Sequence, residues 1–253
     1  MYETNFEEKD AAKDINKWVS KNTNNKIKEI VKNTDKSDIM MLINTLYFNK
    51  KWQEPYEKSE ITSGRFSNND GTTSKAEFMH SSESAYVNDS MAEGFIKSYE
   101  GGKISFVCML PKKDVSIEKY LSSLTGNSFL KFMKSRENID VVASMPQIKY
   151  EYSISLNDPL NKMGLIDAFD SGKAEFTKMS DNKLCISEVL QKTYINIGQN
   201  GTEAAAATAV TMKETAPAIQ KEHKTITLDR PFVFAIVDND TNIPLFMGSV
   251  VHI

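Results

Sequence analysis

The sequence has few of the residue types that most catalytic and metal sites require. It contains two cysteines, Cys108 and Cys185, and three histidines among 253 residues. Both cysteines lie in apolar stretches far apart in the chain, so we expect buried thiols rather than a disulfide framework. His80, His223 and His252 have no carboxylate or cysteine at ligand or triad spacing. We therefore expect no metal site, and because no nucleophile, phosphate or dinucleotide motif occurs, we do not expect an enzyme.

The chain also lacks an excess of one charge and long apolar runs. Its 31 basic and 34 acidic residues are interspersed and give a net charge of −3, which argues against a nucleic-acid partner. No apolar run approaches the length of a membrane span, so we expect no membrane partner either. With 40% hydrophobic residues the chain can bury a sizeable core, and we expect one mixed domain over residues 1–253.

Hydrophobic periodicity predicts an alternation of helices and strands. An amphipathic helix is expected around Ala11 to Val19, with its end at Asn22-Thr-Asn-Asn25, and a second helical region over 115–136. A short helix is expected from Asn157 to Gly164. Strand-like runs cover 39–52, 103–110, 141–155 and 184–197, and hairpin turns punctuate 53–103. This mixture predicts an α+β fold.

The most informative segment is the run of small residues from Gly198 to Pro217, which contains four consecutive alanines. Read with a period of two, Thr202, Ala204 and Ala206 share one face, as in a strand with one buried side. Local propensity favours a helix instead, with Thr202 as N-cap and Pro217 just beyond its end. A segment that satisfies both patterns could be an exposed loop or helix in one state and an inserted strand in another.

Several motifs in this chain resemble one known family in content and in order. The run Gly201-Thr-Glu-Ala-Ala-Ala-Ala-Thr208 resembles the proximal hinge of the reactive loop of inhibitory serpins. Ile226–Ile236 and Pro244–Val251 resemble the C-terminal signature of that family. Asn44–Trp52, and the shorter matches Met145-Pro-Gln-Ile-Lys-Tyr150 and Leu160–Phe169, are similar to other serpin segments. On these residues the chain is identified as a member of the serpin family, of inhibitory type and from a bacterial source.

The resemblance implies the serpin fold: a large central, mostly antiparallel sheet, smaller β-sheets and flanking helices. Serpins carry roughly a further hundred residues before the helix that begins this chain. We therefore expect an N-terminally truncated form that covers the C-terminal two thirds of the fold, with the reactive loop at about 199–225.

The resemblance also implies a function without catalysis or a cofactor. In the family mechanism a protease cleaves the reactive loop and remains bound as an acyl-enzyme, while the freed hinge inserts into the central sheet. The expected function is suicide-type inhibition of serine proteases, with papain-like cysteine proteases as a second target class. The alternative is a non-inhibitory or inactive serpin-fold protein that acts as a substrate, a binding module or a loop-sheet self-assembling protein. The chain is accordingly expected as a monomer or a loop-sheet oligomer.

Family spacing from Gly201 places the reactive bond at Thr215-Ala216, which suits elastase-like or subtilisin-like proteases. Cleavage after Lys213 would indicate trypsin-like targets, and cleavage after Met212 chymotrypsin-like ones. We expect an extracellular or cell-surface location rather than a cytoplasmic one, with any signal peptide in the missing segment. The hinge residues implied by the resemblance are Gly201, Thr202, Glu203, Ala204, Ala205, Ala206, Ala207 and Thr208.

Three further residues are expected to control opening of the sheet. Trp52 matches the tryptophan that covers the point where insertion begins. Asn44 matches the asparagine that holds the sheet closed at its middle, and its usual histidine partner falls at Gln191. A glutamine in that place changes the contact, although its amide can still donate or accept a hydrogen bond.

Overall fold

The computed structural model describes residues 2–8, 10–202 and 223–253 and contains both helices and several sheets. Two short 3-10 helices lie at Lys58–Glu60 and Asp167–Phe169. The remaining helices and strands, in chain order, are α1 (Ala11–Asn22), β1 (Met41–Tyr47), β2 (Lys50–Lys51), β3 (Ile61–Ser67), β4 (Thr73–Glu83), β5 (Tyr86–Asn88), β6 (Ala92–Ser98), β7 (Ile104–Pro111), α2 (Ile117–Ser123), α3 (Gly126–Lys134), β8 (Asp140–Pro146), β9 (Ile148–Ser155), α4 (Asn157–Lys162), β10 (Glu188–Gly198), β11 (Gly201–Thr202), β12 (His223–Thr227), β13 (Phe232–Asp238) and β14 (Pro244–Val250).

The chain divides into two compact units. The first comprises Met1–Phe48 and Lys149–Ile195, and the second comprises Asn49–Ile148 and Asn196–Ile253. The three divisions fall between β1 and β2, after the first residue of β9, and near the end of β10. The single-domain organisation expected from the sequence stays a prediction.

The first unit is built on a parallel pairing of β1 with β10, which runs from Met41 opposite Glu188 to Tyr47 opposite Tyr194. Strand β9 also pairs with β10. The buried residues of this unit gather around α1, and the side chain of Asn16 ties the following segment to the helix. Its amide nitrogen donates to the carbonyl of Val31 at 2.6 Å. The core of the first unit consists of Val19, Ile27, Ile30, Val31 and Tyr194.

The second unit contains two further sheets. One has the strand order β12-β8-β4-β3, and the other has the order β14-β13-β7-β6-β5. In β13 the residues Phe232–Val237 are all buried, so this strand is covered on both faces. Helices α2 and α3 contribute their buried apolar residues to the same core as β6, β7 and β13. The core of this unit consists of Ala85, Val87, Ala92, Ile96, Val107, Met109, Ile117, Tyr120, Phe129, Phe132, Met133, Val233, Ala235 and Val237.

Most expected elements are present, and several are divided where the sequence predicted one piece. The run 39–52 contains β1 and the separate short β2, and 141–155 contains β8 and β9. The region 115–136 holds α2 and α3 rather than one helix, because Thr125 begins a new helix. Its hydroxyl accepts a hydrogen bond from the Ser128 amide at 3.1 Å, and the Ser128 hydroxyl accepts one from the Thr125 amide at 2.8 Å.

The expected state of the cysteines is confirmed: Cys108 and Cys185 are both buried and free. Burial raises the pKa of the Cys108 thiol, which keeps it protonated and unreactive. None of the helices in the part of the chain that the structure describes is long and apolar enough to cross a membrane.

Candidate functional site at the Gly198–Thr202 hairpin

The predicted hinge begins in a tight hairpin of the second unit. Strand β10 ends at Gly198, Gln199 and Asn200 form the turn, and β11 returns antiparallel. Gly198 pairs with Gly201, and Ile197 pairs with Thr202. The other edge of β11 pairs with β2, so that the first two hinge residues already form a strand with a neighbour on each side.

Gly201 occupies a position that accepts only glycine. Its φ angle is 143°, a region that residues with a side chain rarely adopt. A Cβ atom there would collide with the carbonyl oxygen of Lys50 and would lie 2.6 Å from Cα of Lys51 and 2.9 Å from the Trp52 nitrogen. These are backbone atoms, so no side-chain rotation can relieve the collision.

Two aromatic residues hold the turn through hydrogen bonds. The Trp52 amide donates to the Asn200 carbonyl at 3.0 Å, and its indole nitrogen donates to the Gly198 carbonyl at 2.9 Å. The Tyr56 amide donates to the Gln199 carbonyl at 3.0 Å, and the Gln199 side-chain amide donates back to the Tyr56 carbonyl at 2.9 Å. The backbone carbonyl oxygens of Gly198, Gln199 and Asn200 thus all accept hydrogen bonds from the one short segment that contains Trp52 and Tyr56.

Thr202 is buried on the other side of the hairpin. Its hydroxyl lies 2.7 Å from the hydroxyl of Tyr99, and both residues are 0% exposed. The Tyr99 ring stacks on Trp52 with 4.4 Å between centroids, and Trp52 meets Phe106 edge-on at 6.0 Å. Burial raises the pKa of the Tyr99 phenol, and the Thr202 hydrogen bond lowers it by a smaller amount. The contact is therefore a hydrogen bond between two neutral hydroxyls.

We expect Tyr99→Phe to lower the free energy of unfolding by about 1–3 kcal/mol, because it removes the hydrogen-bond partner of a buried hydroxyl. Thr202→Val should lower it by about 1 kcal/mol, because the Tyr99 hydroxyl loses this hydrogen bond. The double variant should lose less than the sum of the two, since neither hydroxyl then remains. Urea unfolding of the four proteins measures the coupling, and strictly additive losses would contradict it.

The second expected control point lies in the first unit. The Asn44 side-chain amide donates to Oε1 of Gln191 at 3.3 Å. The two residues also face each other in register, at the middle of the β1–β10 pairing. The glutamine thus makes a side-chain contact with Asn44, and the role of this contact in opening the sheet stays a prediction.

The remaining site predictions lie outside the described residues. They are the hinge residues Glu203–Thr208, the expected reactive bond Thr215-Ala216 and the alternative cleavage positions Met212 and Lys213. Of the expected reactive loop, about 199–225, the structure describes only the two ends. The distal end enters β12 at His223, which pairs parallel with β8.

The sequence reasoning did not find Tyr56 or Tyr99, which contact the hairpin directly. Each lies more than one hundred residues in the sequence from its hydrogen-bond partner in the hairpin and contacts it only in the folded chain. Neither belongs to a periodic or motif pattern. Among the described residues, no cluster of three or more acidic, histidine or cysteine side chains could hold a metal ion.

Comparison with known proteins agrees with the architecture. The family model for serpins, described as serine protease inhibitors, matches residues 1–253. An uncharacterized serpin-like protein of Thermococcus kodakarensis is 32% identical over 244 residues, which are 96% of this chain and 57% of that protein. Leukocyte elastase inhibitor A of Rattus norvegicus is 33% identical over 253 aligned residues, covering 95% of this chain and 66% of the inhibitor.

The fold is shared with solved structures. The native state of the thermophilic serpin tengpin superposes with a TM-score of 0.89 at 40% identity, over 96% of this chain and 63% of tengpin. Thyroxine-binding globulin in complex with thyroxine gives a TM-score of 0.82 at 26% identity, over 96% of this chain and 64% of the globulin. The chain thus spans 57–66% of the length of these relatives. The family match over the whole chain and the shared fold show that the protein belongs to the serpin family.

Proposed function

We propose that the protein is a suicide-type inhibitor of serine proteases, with papain-like cysteine proteases as a second target class. It acts by cleavage of the loop at about 199–225 and insertion of the hinge into the β-sheet. One observation carries the proposal. Gly201 and Thr202 already form β11, paired on both edges, with the Thr202 side chain buried. The next residues in sequence, Glu203–Thr208, are the run of small residues that would continue such a strand.

The alanines of this run also favour insertion, because their side chains are small. An incoming strand must separate β1 from β10 and then fit between neighbours that are already packed. Alanines allow this, because overpacking by larger side chains costs about 1–3 kcal/mol per site. The Asn44–Gln191 hydrogen bond is exposed and 3.3 Å long, so it resists the separation only weakly, by about 1 kcal/mol or less.

The proposal places the reactive bond at Thr215-Ala216 and favours elastase-like or subtilisin-like proteases, which accept small residues. The similarity to leukocyte elastase inhibitor A supports an elastase-like target. Lys213 with a trypsin-like protease, and Met212 with a chymotrypsin-like one, are the competing assignments. An extracellular or cell-surface location belongs to the same proposal.

Incubation with elastase, subtilisin and trypsin, read by denaturing gel and mass spectrometry, tests the function. We expect an SDS-stable adduct in which the protease serine oxygen is esterified to the Thr215 carbonyl. The broken peptide bond leaves a released peptide with Ala216 as its new amino terminus. Protease whose active-site serine is already blocked serves as the control and should give no adduct. Clean loop cleavage with the protease fully active would contradict inhibition.

A second function, self-assembly by strand addition, is favoured by the position of β1. Within the described residues β1 pairs with β10 alone among the strands, and Leu42 of β1 is 41% exposed. An accessible strand edge is a template for pairing with another chain. Light scattering after size-exclusion chromatography distinguishes the two functions. A monomer that forms the adduct supports inhibition, and oligomers that react with no protease support assembly.

A further inference from the structure

A lysine is buried close to the hairpin, which is unusual for this residue type. Lys97 lies in β6, and its Nζ atom is 2.8 Å from Oε1 of Glu83 at the end of β4. The two side chains are only 4% and 12% exposed. Glu83 also accepts a hydrogen bond from the Ser81 hydroxyl at 2.7 Å. The ion pair is therefore enclosed in the second unit and further fixed by a neutral donor.

The Lys97 ammonium lies over the two aromatic rings that flank the hairpin. Its nitrogen is 4.5 Å from the centroid of the Tyr56 ring and 5.6 Å from the centroid of the Trp52 ring. Both distances are within the range of a cation–π interaction, which is stronger when the cation is shielded from water. The buried Lys97 ammonium thus contacts both Trp52 and Tyr56, which lie more than forty residues before it in the sequence.

Trp52 and Tyr56 are also the residues whose backbone and indole groups bind Gly198, Gln199 and Asn200. Lys97 of the ion pair is therefore connected to the turn by two routes, and each route passes through one residue, Trp52 or Tyr56. A buried ion pair is weak support for stability, since well-packed apolar residues are often at least as favourable in its place. Its geometry is better explained as a means of fixing the two rings.

We propose that Lys97, held by Glu83, is a positioning residue for the hinge. It fixes the rings of Trp52 and Tyr56 and thereby keeps the Gly198–Thr202 hairpin paired, ready for the strand to extend. Lys97 does not touch the reactive bond. Its contribution to inhibition rests on the proposed function, whereas its hold on the hairpin does not.

Amide hydrogen exchange of the full chain tests the hold on the hairpin without a protease. The variant Lys97→Met with Glu83→Gln removes both charges at nearly constant volume. We expect the amides of Trp52 and Tyr56 to exchange on the order of tenfold faster or more, because the turn opens locally. The amide of Ala235, in the buried centre of β13, should be unchanged. If the double variant does not fold, Glu83→Asp, which keeps both charges but draws the carboxylate back by one methylene, should give a smaller acceleration at the same amides.

A matched control applies the same substitutions to another lysine–glutamate pair. Lys192 and Glu151 in the first unit lie 3.6 Å apart, with side chains 18% and 52% exposed. Lys192→Met with Glu151→Gln should leave exchange at Trp52 and Tyr56 unchanged. Unchanged exchange in the Lys97 variant would overturn the proposal. Faster exchange that includes Ala235 to the same extent would also overturn it, because the pair would then support only global stability.

A protease titration then separates this inference from the proposed function. If the parent chain forms the adduct, the Lys97→Met, Glu83→Gln variant should consume about threefold more molecules per protease inactivated, since a poorly positioned hinge inserts more slowly. An unchanged stoichiometry would overturn the contribution to inhibition. If the parent chain forms no adduct, the proposed function fails, and the exchange result alone decides whether Lys97 holds the hairpin.

Discussion

Replacing Gly201 by alanine is expected to break the pairing of β11 and to lower the free energy of unfolding by about 3 kcal/mol or more. The loss has two causes: the φ angle of 143° is unfavourable for alanine, and the added Cβ collides with the backbone of β2. The collision involves the Lys50 carbonyl oxygen and the Lys51 Cα atom, which cannot move without displacing β2. Urea unfolding followed by tryptophan fluorescence measures the loss.

Gly198, which pairs with Gly201 across the same hairpin, provides the control. A Cβ atom on Gly198 would meet no heavy atom within 4 Å. Gly198→Ala should therefore change the stability by no more than about 0.5 kcal/mol. The Gly201 variant should also shift the fluorescence of buried Trp52 toward that of an exposed indole, because its two hydrogen bonds to the hairpin are lost. Equal effects of the two substitutions would contradict the steric explanation.

The sequence predicted where helices end better than where long elements divide. The end of α1 is visible because Asn24 and Asn25 favour left-handed backbone, and both have positive φ angles in the structure. Gly164 ends the region of α4 in the same way, with φ of 98°. The break between α2 and α3 depends on a Thr125–Ser128 capping box, a weaker signal than the usual glutamate or glutamine. The interruption between β1 and β2 has no glycine or proline to mark it.

The sequence likewise predicted some residues of the candidate site and missed others. Motif resemblance placed Trp52, Gly201 and Thr202 in the region where the structure has the hairpin. It could not place Lys97 or Glu83, because charged residues in strands are normally predicted to face solvent. Their burial follows from the registers of β4 and β6 and from nearby aromatic rings, which are long-range properties. A buried charge of this kind is visible only when the strands are assembled.

The segment from Gly198 to Pro217 fits both a strand pattern and a helix pattern, and the structure describes its first five residues. Gly201 and Thr202 adopt the strand, with both residues buried, and the period-two pattern had put Thr202 on the small apolar face. The rest of the segment, from Glu203, lies outside the described residues. Thr202 is the last hinge residue that the structure describes. Whether the strand continues beyond it during inhibition is therefore tested by a substitution that opposes burial of Thr202.

Replacing Thr202 by arginine is expected to convert the proposed inhibitor into a substrate. The parent threonine is 0% exposed, and its hydroxyl lies 2.7 Å from that of Tyr99. An arginine must either bury an unpaired guanidinium in that place, which costs several kcal/mol, or leave the strand. Both outcomes oppose extension of β11. We expect the fraction of protease trapped as adduct to fall on the order of tenfold while loop cleavage continues, because a displaced hinge inserts too slowly.

Thr202→Val is the matched control, since it keeps the shape of the side chain and loses only the hydroxyl. It should retain most of the adduct even though it loses about 1 kcal/mol of stability from the broken hydrogen bond. Titration of a fixed amount of protease, with cleaved chain and adduct separated on a denaturing gel, measures both fractions. If Thr202→Arg traps protease as well as the parent chain does, burial of Thr202 is not a step in insertion. If valine and arginine fail equally, the hydroxyl contact with Tyr99 matters rather than exclusion of charge.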